Sequence, residues 1–122
     1  MSNGVEEDPS GMNQHLPGAK LDKDKLRVDL MLGGFSKALL AVAEVTTYGA
    51  NKYSPNGWMK VRNPVARYAD AKARHMLQGY DERYDKESGL SHAAHEAWNA
   101  LAVLEFLIKG EEDEEKYFTR EA

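Results

Sequence analysis

Three acidic side chains have types and spacing that could hold a divalent cation. Glu44 lies among small apolar residues in a helical pattern, where an unpaired charge would be costly. Glu82 and Asp85 are three residues apart and share one face if their segment is helical. Magnesium and manganese prefer several oxygen ligands at close range, so these three acids are predicted as catalytic residues and metal ligands. Each also fits a solvent-exposed charge on the outside of the protein.

A polar ridge follows the most periodic segment of the chain and consists of His92, His95, Glu96 and Asn99. His92 is predicted as a further metal ligand, and an imidazole ligand would favour manganese over magnesium because it is a softer donor. The alternative is that these side chains are hydrogen-bonded structural residues. The histidines are three residues apart rather than four, so the zinc-binding helix of metalloproteases is excluded.

Basic and aromatic residues supply the predicted contacts to a nucleotide. Arginine and lysine suit phosphate oxygens, and a planar ring can stack on a base. The alternatives are ordinary surface charges, an ion pair between Asp70 and Arg74, and aromatic anchors of the core. The predicted phosphate contacts are Lys20, Lys25, Arg27, Lys52, Arg74 and His75. The predicted contacts to base and sugar are Asp29, Tyr53 and Trp58.

Helices must position these groups, because no segment of useful length alternates with the period of a strand. The first helix is predicted over Ser36 to Tyr48, with Gly49 as its stop. The second begins at Asn63 and Pro64 and ends near Gly79. The third follows the apolar stripe from Leu90 and ends at Gly110. Residues 20–29 are predicted as an extended segment, residues 1–19 as a flexible arm and residues 111–122 as an acidic tail.

Composition limits the class of protein. The chain has 122 residues, a net charge of −4 and no cysteine, which excludes disulfides, thiolate zinc sites and cysteine nucleophiles. The negative charge argues against a nucleic-acid partner, and the absence of a long apolar run or a secretory signal argues against a membrane partner and favours the cytoplasm. Three modest helices leave apolar surface uncovered, so the small all-α bundle is expected to be completed as a homodimer or homotetramer.

Five segments carry the ordered motifs of this sequence: Lys20 to Leu30, Ala43 to Tyr53, Asn56 to Trp58, Tyr68 to His75 and Asp85 to His95. These motifs resemble those of a phage and bacterial family, the dATP/dGTP diphosphohydrolases, whose members include MazZ-type enzymes. These are similar to the MazG and HisE all-α nucleotide pyrophosphohydrolases. The resemblance places the domain at residues 20–110 and the protein, if phage-encoded, in the host cytoplasm.

The resemblance implies a metal-dependent enzyme that hydrolyses a purine nucleoside triphosphate between the α and β phosphates. The expected substrate is dGTP or GTP. Magnesium or manganese would neutralise the phosphates and activate a water. The sequence departs from the paired acidic motifs of MazG-like enzymes, because Glu44 is followed by Thr47 and the third helix carries His92 and His95. The alternative is a non-enzymatic helical module that binds a nucleotide or a host protein.

Overall fold

Four α-helices form the fold of the residues that the structure describes. The computed structural model describes the backbone of residues 5–121 and the side chains of residues 5–111. The helices are α1 (Val28–Gly34), α2 (Ser36–Lys52), α3 (Pro64–Asp81) and α4 (His92–Glu121), with a short 3-10 helix at Gly57–Lys60. Within residues 5–121 there is no β-strand, and the one isolated bridge joins Tyr84 and Ser91. The predicted all-α class is confirmed.

The chain divides into two compact units, residues 1–36 and 37–122. The predicted domain boundaries after residues 19 and 110 stay predictions. In the first unit, α1 begins at Val28, so the prediction of an extended segment over residues 20–29 is wrong at its end. Asp29 lies in the first turn of α1, where its charge suits the positive end of the helix dipole. The residues before α1 form turns rather than a strand.

A buried carboxylate organises the turns of the first unit. Asp8 accepts hydrogen bonds from the backbone amides of Ser10 and Lys20, both at 2.7 Å, and from the Ser10 hydroxyl. The Ser10 hydroxyl and the Lys20 amide hold the pKa of Asp8 at about 2. Asp8 thus joins two turns that are 12 residues apart in sequence.

The second unit starts with most of α2, which continues past its predicted end at Tyr48 to Lys52. Gly49 is not the stop because it does not adopt the positive φ of a left-handed cap. The helix ends at Lys52, two residues before Ser54, and Ser54 is disfavoured in the helical conformation because it precedes Pro55. The sequence prediction placed this end one turn too early.

α3 and α4 pack against each other as an antiparallel pair joined by residues 82–91. Pro64 occupies the first turn of α3, as predicted, but Asn63 makes no capping hydrogen bond through its side chain and adopts the left-handed conformation. α4 begins at His92 rather than Leu90 and runs through Gly110 to Glu121, so Gly110 is not its end. A helical glycine costs only about 1 kcal/mol, which a long helix tolerates.

Aromatic rings hold the 3-10 helix against this pair. The Trp58 ring lies 5.5 Å from the ring of Trp98 and 5.6 Å from that of Phe106, both edge to face. Tyr68 contacts the same cluster, and its hydroxyl donates to the Trp58 carbonyl at 3.1 Å. Edge-to-face pairs each contribute about 0.5–1.5 kcal/mol beyond the area they bury. In the part of the chain described, no helix is both long enough and apolar enough to cross a membrane.

The Asp8 carboxylate gives the first unit a predictable response to acid. An aspartate has an ordinary pKa near 3.9, and that of Asp8 is lowered to about 2, so its stabilising effect is complete above about pH 4 and is lost as the pH falls through 2. A titration of the Asp8 carboxyl carbon by NMR should give a midpoint near 2. Asp8→Asn should speed hydrogen exchange at the Lys20 amide, whereas Asp22→Asn should not. A midpoint near 4 would contradict this assignment.

Candidate metal site

Two histidines and an aspartate converge where α3, α4 and their connecting loop meet. His75 lies on α3, His92 begins α4 and Asp85 lies in the loop between them. One ligand atom from each of the three lies within 4.8 Å of the others, and we call these residues the donor group. His92 is buried, and the other two are half-buried. Two imidazole nitrogens and a carboxylate oxygen form a metal-binding set of the kind that suits a divalent transition metal.

The two imidazoles of the donor group face each other through their Nδ1 atoms, which are 2.9 Å apart. Two ligands of one metal at about 2.1 Å and a right angle are separated by roughly 3 Å, so this spacing fits a shared cation. It equally fits one shared proton, with one ring donating to the other. The geometry excludes two protonated rings in this arrangement.

Local packing explains why the imidazoles come so close. A Cβ atom added to Gly79 would lie 3.4 Å from the Cβ of His92, at the lower limit of ordinary contact. The glycine therefore lets α3 approach the start of α4 closely. Ser91 fixes that start, because its hydroxyl accepts the Ala94 amide proton at 3.0 Å.

The loop that carries Asp85 is closed by its own hydrogen bonds. The Asp85 amide donates to the Leu90 carbonyl and the Gly89 amide donates to the Asp85 carbonyl, both at 2.8 Å. Gly89 has a φ of +74°, which a residue with a side chain rarely adopts. The Asp85 carboxylate accepts the amide and hydroxyl protons of Ser88, each at 2.8 Å. The loop thus presents the carboxylate from a defined backbone.

Burial and neighbouring groups set the charges of the site. Burial lowers the pKa of His75, and the nearby His95 lowers it further, so this ring is neutral near pH 7. Burial also lowers the pKa of His95, although Asp85 opposes that effect. Burial alone would raise the pKa of Asp85, but the hydrogen bonds from Ser88 outweigh it and the net pKa is lowered. Neutral imidazoles and an ionised carboxylate are the forms that bind a metal.

A pocket of about 270 Å³ opens beside the donor group. Asp85 and His92 form part of its wall, together with Glu82, whose carboxylate pairs with Lys86 at 3.2 Å. Gln78, Asp81 and Lys86 complete the lining. Three of the six lining residues are acids, so a cation there would help to neutralise the charge of a triphosphate.

Comparison with known proteins places the chain in a family. The family described as "dATP/dGTP diphosphohydrolase, N-terminal" matches residues 15–116. The chain belongs to this family. A dATP/dGTP diphosphohydrolase of Salmonella phage PMBT28 is 34% identical over 90 residues, which are 73% of this chain and 29% of that protein. The chain therefore corresponds to less than a third of that relative's length. No solved structure matches it.

Family membership confirms the resemblance seen in the motifs, but the predicted ligands are not all brought together. Asp85 and His92 belong to the donor group, whereas Glu82 lies in the adjoining pocket and is exposed. Glu44 is exposed on α2 and belongs to no group of potential ligands among the residues described. His75, predicted as a phosphate contact, lies in the donor group instead.

The predicted nucleotide contacts of the second unit lie in different surroundings. Lys52 forms an ion pair with Glu87 and lies 5.2 Å from the ring of Tyr53, which is 76% exposed. Trp58 is packed in the aromatic cluster, which is the anchor role that the sequence left open. Arg74 pairs with Asp70 at 2.6 Å, the alternative that their spacing suggested.

The predicted contacts of the first unit are exposed and mostly paired within that unit. Lys25 pairs with Glu6 at 2.7 Å. Arg27 binds the Asp29 carboxylate through two nitrogens, at 2.9 and 3.0 Å. The Lys20 side chain is exposed, and its backbone amide is bound by Asp8. A role in nucleotide binding stays a prediction for these residues.

Sequence reasoning missed Ser88, although a signal for it exists. An aspartate followed three residues later by serine and then glycine is typical of a turn in which the carboxylate accepts local protons. The pattern of Asp85, Ser88 and Gly89 therefore predicts a carboxylate held by its own loop. The approach of His75 could not be predicted, because it depends on the register between α3 and α4.

Metal binding should stabilise the protein through the donor group. A ligand that binds only the folded state, present at 100 times its Kd, adds about 2.7 kcal/mol of stability. Manganese should therefore raise the Tm of the wild-type chain, and a chelator should reverse the rise. His75→Ala should lose most of the rise, whereas His15→Ala, which removes an exposed histidine of the first unit, should keep it. An equal rise in both variants would show that manganese binds elsewhere.

Proposed function

We propose that the chain hydrolyses a purine deoxynucleoside triphosphate, dGTP or dATP, between the α and β phosphates with the help of a divalent cation. The donor group is the observation that carries this proposal, since it supplies ligands for a cation beside a pocket. The name of the phage relative supports the nucleotide class. GTP, the ribonucleotide counterpart, is the substrate to compare.

Manganese is the preferred cation in this proposal, and magnesium is the second choice. His75 and His92 offer imidazole nitrogens, and Asp85 offers the carboxylate oxygen. Magnesium strongly prefers an all-oxygen shell, whereas manganese accepts nitrogen more readily. A bound cation would neutralise phosphate charge and lower the pKa of a water. Glu44 and Glu82, the other ligands expected from the sequence, remain proposals for the same cation.

The protein's own side chains would bind and orient the substrate. Lys86 lines the pocket and can move from Glu82 to a phosphate oxygen, since both side chains are exposed at the surface. Lys52 and Arg74 are further proposed phosphate contacts, each now paired with an acid that a phosphate could replace. Tyr53 presents an exposed ring on which a purine could stack.

Substitution of the donor group tests the proposed reaction. Asp85→Asn should leave the fold intact and lower pyrophosphate release from dGTP with manganese by about a hundredfold or more, as expected for loss of a main electrostatic stabiliser. Glu44→Gln tests the acid that lies outside the donor group. The products should be the nucleoside monophosphate and pyrophosphate, identified by chromatography.

Product analysis also separates the enzyme from the alternative, a binding module without activity. If the wild-type chain binds dGTP but releases no product with manganese or magnesium, the catalytic proposal is wrong. If Asp85→Asn and Glu82→Gln both keep normal rates and metal dependence, the metal must be held by other residues. Asp70, His95 and Glu96 are then the next acids and histidines to replace.

We also infer that the chain assembles as a homodimer or homotetramer. Apolar residues lie at helical spacing along α4 and keep 44 to 52% of their surface exposed: Leu101, Leu104, Leu107 and Ile108. An apolar stripe of this kind is normally covered by another helix. A second copy of the chain would cover it without a further partner. A location in the host cytoplasm stays a prediction.

Light scattering tests the assembly. The wild-type chain should have a mass at least twice that of the 13.7 kDa monomer at micromolar concentration. Leu104→Glu should lower the mass, because a charge would then lie in the covered stripe. A stable mass near 13.7 kDa for the wild-type chain would contradict the assembly.

A further inference from the structure

One serine in the loop between α3 and α4 uses the full hydrogen-bonding capacity of its hydroxyl. The Ser88 Oγ lies 2.8 Å from Asp85 Oδ2, 2.7 Å from His95 Nε2 and 3.2 Å from the Leu90 amide nitrogen. A hydroxyl has one proton to donate and two lone pairs to accept with. With three partners, the Ser88 hydroxyl must donate to one of them and accept from the other two.

The chemistry of the three partners decides that assignment. The Leu90 amide can only donate, and the ionised carboxylate of Asp85 can only accept. The single hydroxyl proton must therefore go to Asp85, because otherwise two oxygens bearing lone pairs would face each other at 2.8 Å. His95 is then left to donate from Nε2 to the Ser88 oxygen. The arrangement places a proton on the Nε2 atom of His95.

His95 is itself held firmly by its surroundings. Its ring stacks on that of His75, with centroids 4.3 Å apart and planes 6° from parallel. Tyr48 meets the same ring edge to face at 6.2 Å, and the Asn99 side chain donates to the His95 carbonyl at 2.8 Å. His95 thus links the carboxylate of the donor group, through Ser88, to the imidazole of His75.

Both hydrogen bonds from Ser88 reach the same oxygen of Asp85. The Ser88 amide and hydroxyl each donate to Oδ2, and no hydrogen bond to Oδ1 occurs among the residues described. The carboxylate is therefore fixed at one oxygen and has the other available. A carboxylate held at one oxygen cannot rotate freely about its side-chain bonds. Less conformational entropy is therefore lost when it binds a cation.

We propose that Ser88, supported by His95, is a positioning residue that orients the Asp85 carboxylate toward the His75 and His92 imidazoles. Ser88 does not contact the substrate in this role. It acts through Asp85, and the inference rests on the proposed function in treating Asp85 as a metal ligand. The class of ligand is a divalent cation, with manganese as the probe.

Three serine variants of the full chain test the role of Ser88. Ser88→Ala removes the hydroxyl and should weaken manganese binding by ~10 to 100-fold, the usual effect of losing a group that orients a ligand. Ser88→Thr keeps a hydroxyl and should restore most of the affinity. Ser36→Ala is the control, because it removes an exposed serine hydroxyl at the start of α2, outside the donor group. It should leave manganese affinity within about twofold. Electron paramagnetic resonance of free manganese measures the affinity.

A second measurement does not depend on the metal. In the metal-free protein, nitrogen NMR of the imidazole rings should show His95 protonated on Nε2 at neutral pH, and Ser88→Ala should change that signal. If His95 carries its proton on Nδ1, the hydroxyl proton points to His95 and the proposal is wrong. Unchanged manganese affinity in Ser88→Ala would also overturn it.

Failure of this inference can be distinguished from failure of the proposed function. Asp85→Asn and His92→Gln remove ligands of the donor group directly. If both bind manganese as the wild-type chain does, the donor group is not the metal site and the proposed function fails. If both lose manganese while Ser88→Ala keeps it, the site stands and only the role of Ser88 is wrong.

Discussion

Two imidazole nitrogens held 2.9 Å apart impose the main constraint on this structure. If both rings were protonated, their charges would repel by about 6 kcal/mol at an effective dielectric constant of 20. His75 and His92 must therefore share one proton or one cation. Burial, which lowers the pKa of His75, favours the neutral ring and so prepares the pair for a cation.

Packing at both ends of the α3–α4 pair maintains the short distance between the two imidazole nitrogens. Gly79 permits close approach beside His92, and the aromatic cluster around Trp58 and Trp98 fixes the register farther along the helices. A shift of one helical turn, about 5.4 Å, would separate the two imidazoles completely. The aromatic residues thus help to hold the donor group together, although they do not belong to it.

The sequence predicts which segments of this fold are helical better than it predicts where each helix ends or which helix it packs against. Pro64 marks the start of α3 correctly, because the fixed φ of a proline suits the first turn of a helix and its missing amide proton is not needed there. Gly49 and Gly110 mislead, because a glycine cap of the left-handed type requires a positive φ, and neither glycine adopts one. Local residues do not determine which of these conformations a glycine takes.

The candidate site shows the same division between local and long-range information. Asp85 and His92 are close in sequence, and the pattern of acids and histidines identifies both. His75 enters the donor group only through the packing of α3 on α4, so its sequence neighbours favour the simpler interpretation as a phosphate contact. Glu44, predicted as a ligand from its apolar neighbours, is exposed. The sequence could not predict this exposure, because one isolated acid does not show which face of its helix is covered.

The composition of the donor group also explains why positioning matters more here than in an all-acid site. Two neutral imidazoles and one carboxylate carry a single negative charge, so they attract a divalent cation less strongly than four carboxylates would. Correct geometry must supply part of the missing affinity, which is the role that Ser88 and His95 are suited to play for Asp85. The lower charge has a compensating effect on substrate binding. With a divalent cation in place the donor group would carry a net charge of about +1, which attracts a triphosphate instead of repelling it.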